Sequence, residues 1–181
     1  MENEKFQNKY RIKSARAVWH DYNGGTYFIT ICTKNREHFF GEIDNGIMQL
    51  SEMGKYTFEN LHNINSHYPC AEIPLFVVMP NHIHAIVLID DIIFGKDVAR
   101  NISSGKNETM VEIAKQQSLL CVTIRGFKSA VTKFAHDNDI DFIWQTRFHD
   151  HIIRNQNEMN RIADYIEKNP ATWKTDCFNN P

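Results

Sequence analysis

Long apolar runs are missing from this chain. The most continuous stretches, Leu75 to Met79 and Ala85 to Ile89, fall far short of the roughly 18 residues that a membrane span takes, so no bilayer-crossing helix is expected. The opening residues, MENEKFQNKYRIK, have no apolar core of the kind a secretion signal carries, which points to the cytoplasm. Cysteine is scarce. Its four copies, Cys32, Cys70, Cys121 and Cys177, are scattered too widely for paired CxxC zinc ligands or a small disulfide scaffold, and they read as reduced thiols, mostly buried. An excess of one charge is lacking too. With 20 Lys and Arg against 22 Asp and Glu the formal net charge is −2, so a uniformly basic nucleic-acid coat is excluded while a local basic strip is not.

What the chain does have is enough apolar material for one core. Its 181 residues, 42 % of them hydrophobic, suit a single domain with extensions that buries about 70 % of its unfolded surface. Residues 1–25 read as a basic arm, in which Lys5, Lys9, Arg11, Lys13 and Arg16 occur with no acid between Lys5 and Trp19. The domain proper spans 26–175, with a polar connection over 90–108, and 176–181 reads as a tail. TYFITICT at Thr26 to Thr33 is a β-branched and aromatic run that predicts a strand. Asn45-Gly46 predicts a small hairpin. Ser51 opens a helix that must stop before Pro69. The runs Ile73 to Met79 and His82 to Ile89, separated only by Pro80 and Asn81, should pair antiparallel at the centre of a sheet. Leu120, Ile124, Phe127, Val131 and Phe134 recur at steps of four and three, the period of an amphipathic helix. Phe142 to Ile153 reads as a further strand and Glu158 to Lys168 as a last helix stopped by Pro170. The sum is α+β: a ferredoxin-like or RRM-like antiparallel sheet with helices packed on one face.

Candidate chemistry begins at VVMPNHIHAIV, Val77 to Val87. Alternate strand residues share a face, about 6.6 Å apart along the chain, so His82 and His84 point to one side while Ile83 enters the other. Two convergent nitrogens invite a divalent metal, although a bare pair of this kind also occurs as surface or hydrogen-bonded histidines. A second pair, His149 and His151, flanks the charged Asp150 and is the poorer metal candidate; it could line the same cleft or cap the sheet. In the last helix Met159, Ile162, Ala163 and Ile166 form the buried stripe, and Tyr165 and Asn169 are i, i+4 neighbours about 40° apart on its flank. Such a helix could present a phenol and an amide oxygen at the rim of a metal site. An ion held by two neutral imidazoles and an amide keeps its full charge, which suits polarising a phosphodiester; such a site accepts Mg²⁺ or Mn²⁺, imidazole favouring Mn²⁺.

Five ordered motifs extend this reading: YFITICTKNR at Tyr27 to Arg36, FVVMPNHIHAIV at Phe76 to Val87, GFKSAVT at Gly126 to Thr132, IWQTRFHDHIIR at Ile143 to Arg154 and DYIEKNP at Asp164 to Pro170. Through them the chain resembles the HUH single-tyrosine transposases, most closely the REP-associated branch. The resemblance implies that His82 and His84 bind Mg²⁺ or Mn²⁺, that Asn169 completes the metal shell, and that Tyr165 is the nucleophile. It implies cleavage of single-stranded, hairpin-forming repeat DNA, with tyrosine joined to the 5′ phosphate and a free 3′ hydroxyl left behind, by a monomer or homodimer. For DNA contact the candidates are Arg11, Lys13 and Arg16 of the arm, Arg125, Lys128 and Lys133 of the long helix, and Arg147 and Arg154 flanking the second histidine pair. The rival readings are a non-catalytic RRM-like module that binds single-stranded nucleic acid and an HUH nuclease of the replication or relaxase type.

Overall fold

The computed structural model describes residues 23–90 and 118–179. Within them the chain runs as β1 (Gly25–Cys32), β2 (Gly41–Asp44), β3 (Ile47–Leu50), α1 (Glu52–His62), a single turn α2 (Ile64–His67), β4 (Ala71–Val78), β5 (His82–Ile89), α3 (Leu119–Asp137), β6 (His149–Ile152) and α4 (Gln156–Thr172). The arm at 1–22, with Arg11, Lys13 and Arg16, and nearly all of the 90–108 connection lie outside the described residues.

Four strands form one sheet in the order β4-β5-β1-β6, every neighbouring pair antiparallel. Setting the β2–β3 hairpin aside, this is the ferredoxin-like arrangement, with α1 and α3 as the connecting helices. Pairing of β4 with β5 follows from the short Pro80-Asn81 link, as the sequence predicts, but only β5 is central: β4 lies at the sheet edge, because β1 and not β4 takes the other inner position. The hairpin turns at Asn45 and Gly46, whose φ values of 50° and 78° are the paired positive dihedrals that a two-residue primed turn requires.

Period-two burial sorts the sheet into two faces. Tyr27, Ile29, Ile31, Ile83, Ala85 and Val87 are buried in the main core, where Met53 and Leu61 of α1 and Leu120, Ile124, Phe127 and Val131 of α3 close over them. The expectation that all helices share a face needs correction here. Helix α4 packs on the opposite face, where Ile166 meets Ile86 and Ile153, with Phe28, Leu75 and Val77 around them. Its apolar stripe has nowhere else to go, because α1 and α3 already fill the first face.

Three further expectations change. The run 142–153 contributes only His149–Ile152 to the sheet, plus one bridge from Trp144 to Thr33. Phe142 and Trp144 instead turn inward as an aromatic cluster with Phe39 and Phe40, and the Trp144 Nε1–H donates to the carbonyl of Lys128 at 3.1 Å. Helix α4 continues through Pro170 to Thr172; proline there removes only one bond of the final turn. All four cysteines are free, but Cys70 alone is buried, Cys32 and Cys121 are intermediate and Cys177 is exposed. No helix among the described residues is long and apolar enough to cross a membrane.

Helix α1 starts where the Ser51 hydroxyl accepts from the Gly54 amide and donates to the Phe39 carbonyl. A Cβ on Gly54 would sit 2.0 Å from the backbone carbonyl oxygen of Phe40, an overlap that no side-chain movement relieves. Gly54→Ala should therefore destabilise the fold by about 1–3 kcal/mol, against the gain that helix propensity alone would give, as read from the urea midpoint.

Candidate active site

On β5, His82 and His84 project from the face opposite Ile83, and both are buried, at 0 % and 1 % exposure. Their ring centroids are 4.5 Å apart. A neutral imidazole in such a place needs partners. His82 Nδ1 lies 2.8 Å from Asn81 Oδ1. The Asn81 amide nitrogen donates to the carbonyls of Arg36 and Phe178, which fixes its oxygen toward the ring, so His82 carries its proton on Nδ1 and turns a bare Nε2 into the site. His84 Nδ1 is 2.9 Å from Thr30 Oγ1, its register partner on β1, and His84 Nε2 is 3.1 Å from the Tyr165 hydroxyl. With the phenol donating to Nε2, the Nδ1–H of His84 donates to Thr30.

Helix α4 brings Tyr165 and Asn169 to this spot. It begins at Asn155, whose side chain accepts from the Glu158 amide. Glu158 in turn accepts from His151 Nε2 at 2.7 Å and from the Arg154 amide at 2.9 Å, tying the helix start to β6. Ile166 anchors the next stretch at 1 % exposure, leaving Tyr165 41 % exposed beside it and Asn169 buried at 1 %. The Asn169 amide nitrogen donates to Asp176 at 3.1 Å, and Asp176 also accepts from the Phe178 amide. Asn169 Oδ1 and His82 Nε2 are both buried with no hydrogen-bond partner. These are two acceptor lone pairs of the kind a cation satisfies, beside a third on His84 Nε2. Among the described residues no cluster of three or more His, Cys, Asp or Glu gathers to hold a metal; this donor set reaches three only through an amide.

Burial pushes the pKa of both histidines down to about 3, helped at His82 by the Arg36 charge and at His84 by His82, while Asp176 opposes the shift at His84. Both rings are therefore neutral near pH 7, the form that ligates metal. Burial, reinforced by Asp176 and Cys177, pushes Tyr165 up to about 12, with the Asn169 amide opposing. The resting tyrosine is thus a phenol.

Sequence reasoning missed the cover over this site. Residues 176–181 read as a tail, yet the Phe178 ring stacks on His82 at 4.4 Å, and Trp173 lies 6.0 Å from His82. Arg36 holds the segment from outside, its guanidinium on the Cys177 carbonyl and over the Phe178 ring. Thr30, Phe28 and Asn81 were also missed. The only available signal for them was register: Thr30 and Phe28 share the face of β1 that adjoins the histidines, where Phe28 stacks on His84 at 5.2 Å.

The basic candidates divide. Arg125, Lys128 and Lys133 line one groove of about 830 Å³ together with Thr132, Thr146 and Phe148. Lys128 is already engaged, its ammonium donating to the Gln145 carbonyl at 2.7 Å and lying over the Trp144 ring, and Lys133 pairs with Asp137. Arg147 and Arg154 are exposed on either side of β6.

The fold is shared with a solved REP-associated tyrosine transposase bound to a REP hairpin: TM-score 0.55 and 22 % identity, over 87 % of this chain and 73 % of that one. No family model matches the chain. By sequence it is 36 % identical over 166 residues to an uncharacterized protein of Haemophilus influenzae, covering 91 % of each. It is 26 % identical over 148 residues to a second protein of that organism, named "Putative REP-associated tyrosine transposase", covering 82 % of this chain and 71 % of that protein. In sequence and in fold the chain is thus similar to REP-associated tyrosine transposases.

Proposed function

We propose that the chain is a metal-dependent tyrosine transposase that cleaves and rejoins single-stranded, hairpin-forming repeat DNA through a 5′-phosphotyrosine. The observation that carries this reading is the convergence of the Tyr165 hydroxyl, 3.1 Å from His84 Nε2, with the unpartnered His82 Nε2 and Asn169 Oδ1. The two histidine nitrogens and the amide oxygen fit Mg²⁺ or Mn²⁺, imidazole favouring the latter. A bound ion would offset the phosphate charge and ease loss of the phenolic proton.

Tyr165 Oη then attacks phosphorus, the P–O3′ bond breaks and the phenolic proton is released, leaving the 5′ phosphate on tyrosine and a free 3′ hydroxyl. Attack by a second 3′ hydroxyl restores a phosphodiester and the tyrosine, so strand transfer needs no ATP. Asp176 orients the Asn169 amide so that its oxygen, not its nitrogen, faces the site. The hairpin bound by the structural relative supports hairpin repeats as substrate, and the groove along α3 supplies cations for the phosphate backbone. An RRM-like platform needs a bare sheet face for base stacking; here α4 covers part of that face, which favours the enzyme.

Three measurements test the reading. Calorimetry should detect Mn²⁺ binding by the wild type and none by the double variant His82→Ala, His84→Ala; equal affinity in both would exclude the histidines as ligands. On a denaturing gel, end-labelled single-stranded DNA carrying a hairpin-forming inverted repeat should give a slow adduct with wild type and none with Tyr165→Phe, and the joined product should separate a transposase from a nuclease that only cleaves. Replacing Arg125 and Lys133 with Ala should lower the slope of log affinity against log salt by about 0.7 for each phosphate that no longer meets a cation; an unchanged slope would remove the groove from the DNA path.

A further inference from the structure

We infer that His149 is a catalytic residue of this site: the proton donor to the leaving 3′ oxygen in cleavage and the acceptor of that proton when a 3′ hydroxyl attacks in rejoining. The inference rests on the proposed phosphotyrosine chemistry and extends it.

Register fixes the position. Thr30 pairs with His84 on one side and with His149 on the other, so His84, Thr30 and His149 form one row across three strands, all on the face that carries the metal-ligand candidates. Adjacent strands lie about 4.8 Å apart, which sets the Cα atoms of His84 and His149 about 10 Å apart with their side chains on the same side. A phosphodiester fits between two such rings. A charge on His149 is also felt at His84, where it helps lower the pKa.

Direction decides the role. Helix α4 packs over Leu75, Val77 and Ile86 of β4 and β5, with Phe28 of β1 and Ile153 just past β6 in the same cluster, and the Tyr165 hydroxyl reaches His84 from the side of this helix. Displacement at phosphorus sets the attacking and leaving oxygens in line on opposite faces of the transferred group. The leaving 3′ oxygen therefore emerges toward β1 and β6, away from the phenol and from Asp176.

Elimination singles out one ring. Thr30 is engaged by His84. His151, on the same face one step further along β6, is bonded to Glu158 and anchors the start of α4. Asp176 lies on the tyrosine side, holding Asn169 and the Phe178 amide. His149 is exposed, and its ring makes no hydrogen bond among the described residues. It also directly follows Phe148, which lines the basic groove, so DNA leaving that groove around the β6 edge meets His149 first.

The test uses the hairpin-repeat oligonucleotide in two forms: the native diester, and a diester whose bridging 3′ oxygen at the mapped cleavage site is replaced by sulfur. A thiolate leaves without a proton. His149→Ala should slow adduct formation on the native strand by about 100-fold or more, within the range of lost general acid catalysis, yet cleave the 3′-thio strand within about threefold of wild type. His149→Gln, which keeps a polar side chain, should behave as the Ala variant does. Equal slowing on both strands, no slowing on the native strand, or full rescue by Gln would overturn the role of His149 while leaving the phosphotyrosine reading intact. Absence of an adduct with wild type on either strand would overturn both. Circular dichroism and unchanged DNA affinity confirm that the variants fold.

Discussion

Two imidazoles buried side by side on a central strand are the constraint from which the rest of the site follows. Sheet alternation puts His82 and His84 on one face, and burial keeps both rings neutral. Each neutral ring has one donor and one acceptor. The donors are spent inward, on Asn81 Oδ1 and Thr30 Oγ1, so the acceptors must point together into the space beneath α4. A carboxylate at Thr30 or Asn81 would also accept those protons, but it would pull the rings toward the charged form. Neutral partners keep the lone pairs free.

The same logic explains the acid that is present. Asp176 sits one bond further out, holding the Asn169 amide nitrogen, so its charge orients the amide without joining the donor set. That charge also helps raise the Tyr165 pKa. A phenol near 12 is a poor nucleophile at neutral pH; under the proposed mechanism a divalent cation held at the site would counter that effect, so that reactivity would require ion and DNA together.

Legibility in the sequence tracked how local each signal is. His82 and His84 were readable because a period of two needs only a strand, and Tyr165 with Asn169 because a period of 3.6 needs only a helix. The hairpin at Asn45-Gly46 and the pairing of β4 with β5 were readable from turn chemistry. Which sheet face α4 covers was not, since an apolar stripe says how much is buried and not against what. Phe142 and Trp144 misled for a related reason: their aromatic, β-prone composition fits a strand, while packing against Phe40 turns the segment inward. Phe178 and Asp176 were invisible because a few residues after a helix have no periodicity to read; only the three-dimensional path of the chain brings them over the histidines.

The ferredoxin-like sheet leaves one face uncovered, and in a binding module that face meets the ligand directly. Here α4 crosses only part of it, tied at its start to β6 through Glu158 and His151 and packed on β4 and β5, leaving the exposed His149 at the approach to the site. An RRM-like face would stack bases on its aromatics. This one spends Phe28 on His84 and Tyr165, inside the site and not toward a base. Adding a helix to half of a platform thus changes its use. The covered half supplies buried, oriented acceptors and a tyrosine, the open half would give a strand access under the proposed function, and the junction between them is the row of β5, β1 and β6 residues where the two requirements meet.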